Sequence, residues 1–306
     1  MAQLPVAARV PVRAALLSVA VSVVLLALKF GAYLFTGSAA ILSDAAESVL
    51  NVLTANLALI SLMIAARPPD AGHRYGHGKA EYVSSASEGA LILITGLIVV
   101  GNAVRRFVRP VPLASLPLGL GLVTVAAVAN FLVARFLLRI SREHDAVVLE
   151  ADARHLFADV VTSVGVVAGL GLQQATGRLW LDPLIAVLVG AHIARLGWGV
   201  SRGSVGGLMD APLPQDEEAR VRAILADHAD DIVNYHELRT RKAGSDRFVD
   251  LHLVLHRTLS VGQAHTLCDD LEEHIRQVLP RTDITIHVEP CGRACVRCAA
   301  LAASRS

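Results

Sequence analysis

The sequence predicts a polytopic α-helical membrane protein: six transmembrane helices followed by a small cytosolic α+β domain. Three observations predict it. Of 306 residues, 54% are hydrophobic and only 4% aromatic, and the mean hydropathy is +0.52. That composition belongs to membrane spans. Six apolar runs are each long enough to cross a hydrocarbon core about 30 Å thick. Finally, the charges crowd into short loops and the C-terminal third, where alternating patterns replace the long apolar runs.

The runs lie near Arg13–Phe35, Ala39–Ala65, Ser84–Phe107, Leu116–Leu138, Val147–Leu172 and Leu181–Val200. No positive–apolar–small cleavage pattern precedes the first, so it is expected to remain as a span. An even number of spans places both termini on one side. That side carries Arg9, Arg13, Arg67, Arg74, Lys79, Arg139, Arg142 and Arg202, against Arg105, Arg106, Arg109 and Arg178 opposite. The bias predicts cytoplasmic termini. Lys29, inside the first run, is expected to snorkel toward its outer end. The predicted organisation is a six-helix transmembrane domain over 1–205, a linker over 206–214, a soluble domain over 215–290 and a Cys-containing tail over 291–306.

Metal-capable residues recur at helical spacing inside the spans. His155 and Asp159, one turn apart in the fifth run, point the same way. An imidazole and a carboxylate so placed form half of a divalent-metal site. Asp44, Glu47 and Asn51 share one face of the second run, and Glu47 and Asn51 repeat the four-residue spacing. Two such helices can close a four-coordinate cage, in which Glu47 and Asp159 balance a doubly charged ion. The alternatives are a structural His–Asp contact between helices and a capping role for Asp44 and Glu47. Between the second and third runs, Asp70, His73 and His77 fall within eight residues of a Pro- and Gly-rich loop. They predict a second, exposed ion site.

After the sixth run, Gly206-Gly207 and Pro212-Leu213-Pro214 mark a hinge-like linker. Periodicity then predicts a helix over Gln215–His228, strands over Tyr235–Arg241 and Arg247–His256, a helix over Val261–Leu279 and a strand over Asp283–Val288. All four cysteines (Cys268, Cys291, Cys295, Cys298) fall in this polar part, which suits cytosolic thiols better than a disulfide framework. Cys291, Cys295 and Cys298 either bind a soft ion together with His287 or form a plain reduced tail. Gly89, Gly96 and Gly101, and Gly165 with Gly169, are read as packing positions.

Taken in order, Asp44-Ala45-Ala46-Glu47, Tyr75-Gly76-His77-Gly78-Lys79-Ala80-Glu81, Ala151-Asp152 with His155 and Asp159, Leu238-Arg239-Thr240-Arg241, Gln263-Ala264-His265 and Ile286-His287-Val288-Glu289-Pro290 form a specific pattern. In it the chain resembles the cation diffusion facilitator family up to Glu289. The resemblance implies six helices, a ferredoxin-like or metallochaperone-like cytosolic domain, a homodimer, and proton-coupled export of a divalent metal from a bacterial cytoplasm across the inner membrane. It also implies that His236, His252, His265, His287 and Glu289 occupy soluble-domain ligand positions, with some partners supplied across the dimer. The chain departs from the family pattern at Glu47, where His or Asp is usual, and at Asn51, where Asp is usual. Zinc stays the first expectation, with manganese, iron(II), cobalt, nickel and cadmium open. Asp44 is the candidate to restore the missing carboxylate.

Metal binding needs neutral His155 and ionised Glu47 and Asp159, so loading expels protons and protonation expels metal. No Gly-x4-Gly-Lys-Ser/Thr sequence is present, which agrees with a gradient-driven carrier. The expected partners are membrane lipid, divalent cations, protons and a second copy of the chain, and no nucleic acid. Rival readings are an intramembrane metal-dependent hydrolase with Glu47 as general base, which lacks His-Glu-x-x-His, and a metal-sensing scaffold that carries nothing.

Overall fold

The computed structural model describes residues 6–36, 39–108, 117–178 and 180–292; the side chains of 35–44, 46, 47 and several others within helices lie outside that description. The chain divides into two compact units, residues 1–208 and 209–306. The first is built from α1 (Val6–Thr36), α2 (Ala39–Ala65), α3 (Ala80–Val108), α4 (Pro117–His144), α5 (Val147–Thr176) and α6 (Leu181–Leu208). Among the described residues, α1, α2, α3, α4 and α6 are long and apolar enough to cross a membrane. α5 is 30 residues long; its first half carries Glu150, Asp152, Arg154 and Asp159, and residues 160–172 carry no charge. Glu150 and Arg154, both partly exposed, pair with each other at 2.6 Å, whereas ionisable groups further along the helix must be covered by neighbouring helices. Asp152 is accordingly 1% and His155 6% exposed.

Small and branched side chains join α1, α2, α4 and α5. Ala15, Ala58, Ala134, Leu137, Leu149, Ala153 and Leu156 form one buried cluster. α3 and α6 approach more closely still. A Cβ at Gly96 would lie 2.5 Å from the Ala194 nitrogen and 2.7 Å from the Gly190 oxygen, and one at Gly89 would lie 2.5 Å from the Ser201 nitrogen. Gly190 and Gly197 return the contact from α6, seven residues apart. Without a hydrophobic drive between helices in lipid, such backbone approach is what stabilises their pairing. A Cβ at Gly101 would meet nothing within 4 Å among the described residues, so Gly101 takes no part in this seam. Lys29 does not snorkel as expected; it is 8% exposed and covered by protein.

The second unit runs α7 (Gln215–Asp227), β1 (Asn234–Ala243), β2 (Asp246–Leu255), α8 (Val261–Val278) and β3 (Thr282–Pro290). Asp216, Glu217 and Glu218 occupy the first turn of α7, where the helix dipole favours negative charge. Ser260 caps α8 in a reciprocal pair with Gln263. β1 and β2 pair antiparallel, and β3 adds parallel to β2. The parallel strand requires a crossover, which α8 supplies. Val249, Leu251, Leu253 and Leu255 of β2 pack with Val221 and Leu225 of α7 and Leu271 and Ile275 of α8. Period-two alternation therefore turns His252 to the other face of the sheet. Cys291 is buried rather than part of a loose tail, and its N–H donates to the Leu255 oxygen at 2.8 Å. Cys295 and Cys298 lie outside the described residues.

Arg247 fastens α7 to the sheet. Its Nε and Nη2 donate to the two carboxylate oxygens of Glu217, both at 2.7 Å, with side chains 12% and 14% exposed. The guanidinium holds the Glu217 carboxyl below the ordinary glutamate range. A lowered carboxyl pKa stabilises the fold above that ordinary range, and the stabilisation fades as pH falls through the lowered value. Arg247→Ala is expected to cost about 2 kcal/mol at pH 7, with the difference from wild type shrinking below pH ~4.3. Urea unfolding at pH 7 and pH 4 checks both.

Candidate metal centres

The first centre lies between α2 and α5. The Asn51 Nδ2 donates to Asp159 Oδ2 at 2.6 Å, and its Oδ1 stands 3.0 Å from His155 Nε2. One amide thus joins the imidazole and the carboxylate that α5 presents one turn apart. Asn51 is 8% and His155 6% exposed. Asn130 of α4 adds a contact of 3.4 Å from its Nδ2 to the same Asp159 oxygen. Beside these groups is a cavity of about 10 Å³, lined by Thr95, Thr162, Ile92 and Ile193 with Asn51, His155 and Asp159. It has room for a single water-sized body. Position 47 sits one turn before Asn51 on α2, but the side chains of Glu47 and Asp44 lie outside the described residues.

Deeper toward the 66–79 loop, two acidic residues are fully covered. Ser18 of α1 donates to Asp152 Oδ2 at 2.8 Å, and Ser84 donates to Glu88 Oε1 at 3.4 Å. Glu81 accepts from the Val148 N–H at 3.3 Å and so pins the start of α5 to α3.

The second centre is the loop. Asp70 Oδ1 accepts from the backbone N–H groups of Gly72 and His73 at 2.9 and 2.7 Å. The His73 N–H, then burial acting in the opposite sense, then the Gly72 N–H and the two imidazoles, leave the carboxyl below its ordinary range. His73 Nδ1 lies 3.4 Å and His77 Nε2 3.3 Å from the Asp70 oxygens. One ligand atom from each of the three lies within 4.8 Å of the others. Gly76, at φ 82°, takes the left-handed turn that brings His77 back toward Asp70.

The third centre crosses the sheet. His236 is the register partner of His252, and His252 of His287, so three imidazoles stand in a row on the face away from the helices. Glu289 accepts from His236 Nε2 at 3.2 Å and His252 Nδ1 at 3.0 Å, and these contacts hold its carboxyl below the ordinary range. Glu237 also joins, 3.6 Å from His252 Nε2. It gets there through a bulge between His236 and Arg239, with Glu237 itself at φ 51°. The extra residue keeps Glu237 off the core, while Tyr235 and Leu238 on either side pack into it. His265 stands apart on α8, 3.4 Å from Asp269 and 75% exposed.

The sequence reading missed Asn130, Glu88 and Glu237. A lone amide inside the apolar run of α4 was a signal for the first. Two polar residues between inward-facing Tyr235 and Leu238 were a signal for the bulge.

Spans built around covered ionisable groups, joined to an α+β unit bearing imidazole clusters, define an integral membrane protein of the metal-handling class. Residues 15–209 match the cation efflux transmembrane domain, and residues 213–291 match the cytoplasmic domain of cation efflux proteins. The chain belongs to the cation diffusion facilitator family, whose members are divalent metal cation efflux transporters. It is 39% identical over 276 residues to the uncharacterized transporter sll1263 of Synechocystis, covering 90% of this chain and 89% of that one. It is 30% identical over 273 residues to the cation-efflux pump FieF of Shewanella oneidensis, covering 89% and 92%. The metal-bound C-terminal domain of the CzcD transporter from Thermotoga maritima is 28% identical, covering 26% of this chain and 92% of that one, with a TM-score of 0.24.

Proposed function

We propose that this chain is a secondary active exporter that exchanges a divalent transition-metal cation for protons between α2 and α5. The carrying observation is the Asn51 amide, which stands 3.0 Å from His155 Nε2 and 2.6 Å from Asp159. An amide oxygen only accepts, so His155 Nε2 carries a proton in this arrangement. A cation arriving at the same nitrogen competes with the imidazolium form of the ring, whose second proton it releases, whereas the neutral ring moves its one proton to Nδ1. His155, Asp159 and the Asn51 oxygen supply three ligands, Glu47 a fourth, and Asp44 a reserve carboxylate. Imidazole with carboxylate suits zinc first, and the neutral amide leaves manganese, iron(II), cobalt, nickel and cadmium as competitors.

Asp70, His73 and His77 serve as an outlying cation site at the membrane unit. His236, His252, His287 and Glu289 serve as a regulatory site, with His265 available to a partner subunit. Two copies pair through the cytoplasmic domain, whose family description names a dimer. Both termini face the cytoplasm of a bacterial inner membrane in this reading, which the Lys and Arg bias favours.

Reconstitution into proteoliposomes tests the proposal. An imposed pH gradient should drive zinc across the bilayer. Zinc that binds without crossing would show a sensor, and turnover of a peptide or ester substrate would show a hydrolase; either result overturns the proposal.

A further inference from the structure

The helix side of the cytosolic unit carries an imidazole pair that none of the centres above uses. His228 caps the C-terminal end of α7, and its Nδ1 stands 2.8 Å from the Ile224 oxygen. That oxygen can only accept, so Nδ1 holds the ring's proton and the neutral ring presents a lone pair at Nε2. His274 of α8, distant in sequence, places its Nδ1 3.2 Å from that atom. The ring centroids are 5.0 Å apart, with the planes at 46°.

We propose that His228 and His274 together bind a borderline first-row divalent cation of the zinc class, at a site separate from the sheet centre. Two nitrogens each at about 2.05 Å from a tetrahedral ion are about 3.3 Å apart, which is the spacing found here. A ring nitrogen donating to a backbone carbonyl while its opposite nitrogen faces outward is how ligating histidines are oriented. The charge is favourable too. The negative end of the α7 dipole points here, and exposed Asp227, Asp230 and Asp231 flank His228. The remaining coordination positions go to water, so the site is weaker than a closed four-ligand cage.

The two sites lie on opposite layers of the domain. β2 turns Leu251 and Leu253 toward α7 and α8 and His252 the other way, so one ion cannot span both. Bound here, a cation ties α7 to α8. The inference does not depend on transport.

Calorimetric titration of zinc into the metal-stripped full-length protein tests it. His274 is exposed, so His274→Ala and His274→Gln should leave the metal-free melting temperature unchanged, and His228→Asn provides a second route to the same loss. Each variant is expected to bind about one zinc fewer per chain, additively with whatever His252→Ala removes. A titration identical to wild type would show that the pair is only a hydrogen bond. A loss that vanishes in the His252→Ala background would place the ion on the sheet instead. Either result overturns the proposal.

Discussion

Asp159→Ala is expected to lower zinc flux in proteoliposomes by at least about 100-fold, with the dimer and the helix content unchanged. The carboxylate anchors the centre: Asn51 at 2.6 Å and Asn130 at 3.4 Å both donate to its Oδ2. Removing it takes away negative charge needed to balance a dication in a low-dielectric site. It also leaves two covered amide donors without their acceptor. Asp159→Asn separates these effects. It keeps the volume and part of the hydrogen bonding but not the charge, so its flux should fall nearly as far as that of Asp159→Ala. Flux from Asp159→Asn within a few-fold of wild type would mean that the charge at this position is not part of the carrier.

Gly197→Val is expected to have the largest effect on assembly. A Cβ there would meet the backbone of α3, with the Gly89 oxygen at 2.7 Å and the Leu93 Cα at 2.8 Å. Backbone cannot rotate away as a side-chain tip can, so α3 and α6 must separate. Overpacking of this kind costs about 3 kcal/mol, and in lipid the separated helices gain no compensating hydrophobic burial. The variant should lose most of its folded yield in detergent, seen as a shift from a single gel-filtration peak to aggregate. Gly101→Val is the control, because a Cβ at that position meets nothing within 4 Å among the described residues. Equal yields from the two variants would show that the α3–α6 seam is not tightly packed.

Periodicity made much of this legible. Four-residue spacing is enough to put His155 and Asp159 on one face of α5, and strand alternation is enough to put His252 opposite Leu251 and Leu253. The five elements of the cytosolic unit follow the predicted order within a few residues. What could not be read depends on contacts between distant segments. Nothing local to Asp152 says that Ser18 will donate to it, and nothing local to Asn130 says that α4 will bring it to Asp159. Glu237 required a bulge that breaks the very alternation used to find the strand. Lys29 was placed by its distance from a helix end, whereas its burial is set by its neighbours.

The account rests on a dication and a proton competing for His155 Nε2. The direct measurement is proton release during zinc titration of weakly buffered full-length protein, in a background carrying His77→Ala, His252→Ala and His274→Ala so that only the membrane centre stays intact. Measured over a series of pH values, zinc binding should release more protons as pH falls and the ring becomes doubly protonated, and adding His155→Ala should abolish both the binding and that dependence. Zinc that binds this background with no proton released at any pH of the series, or binds equally well without His155, would contradict it.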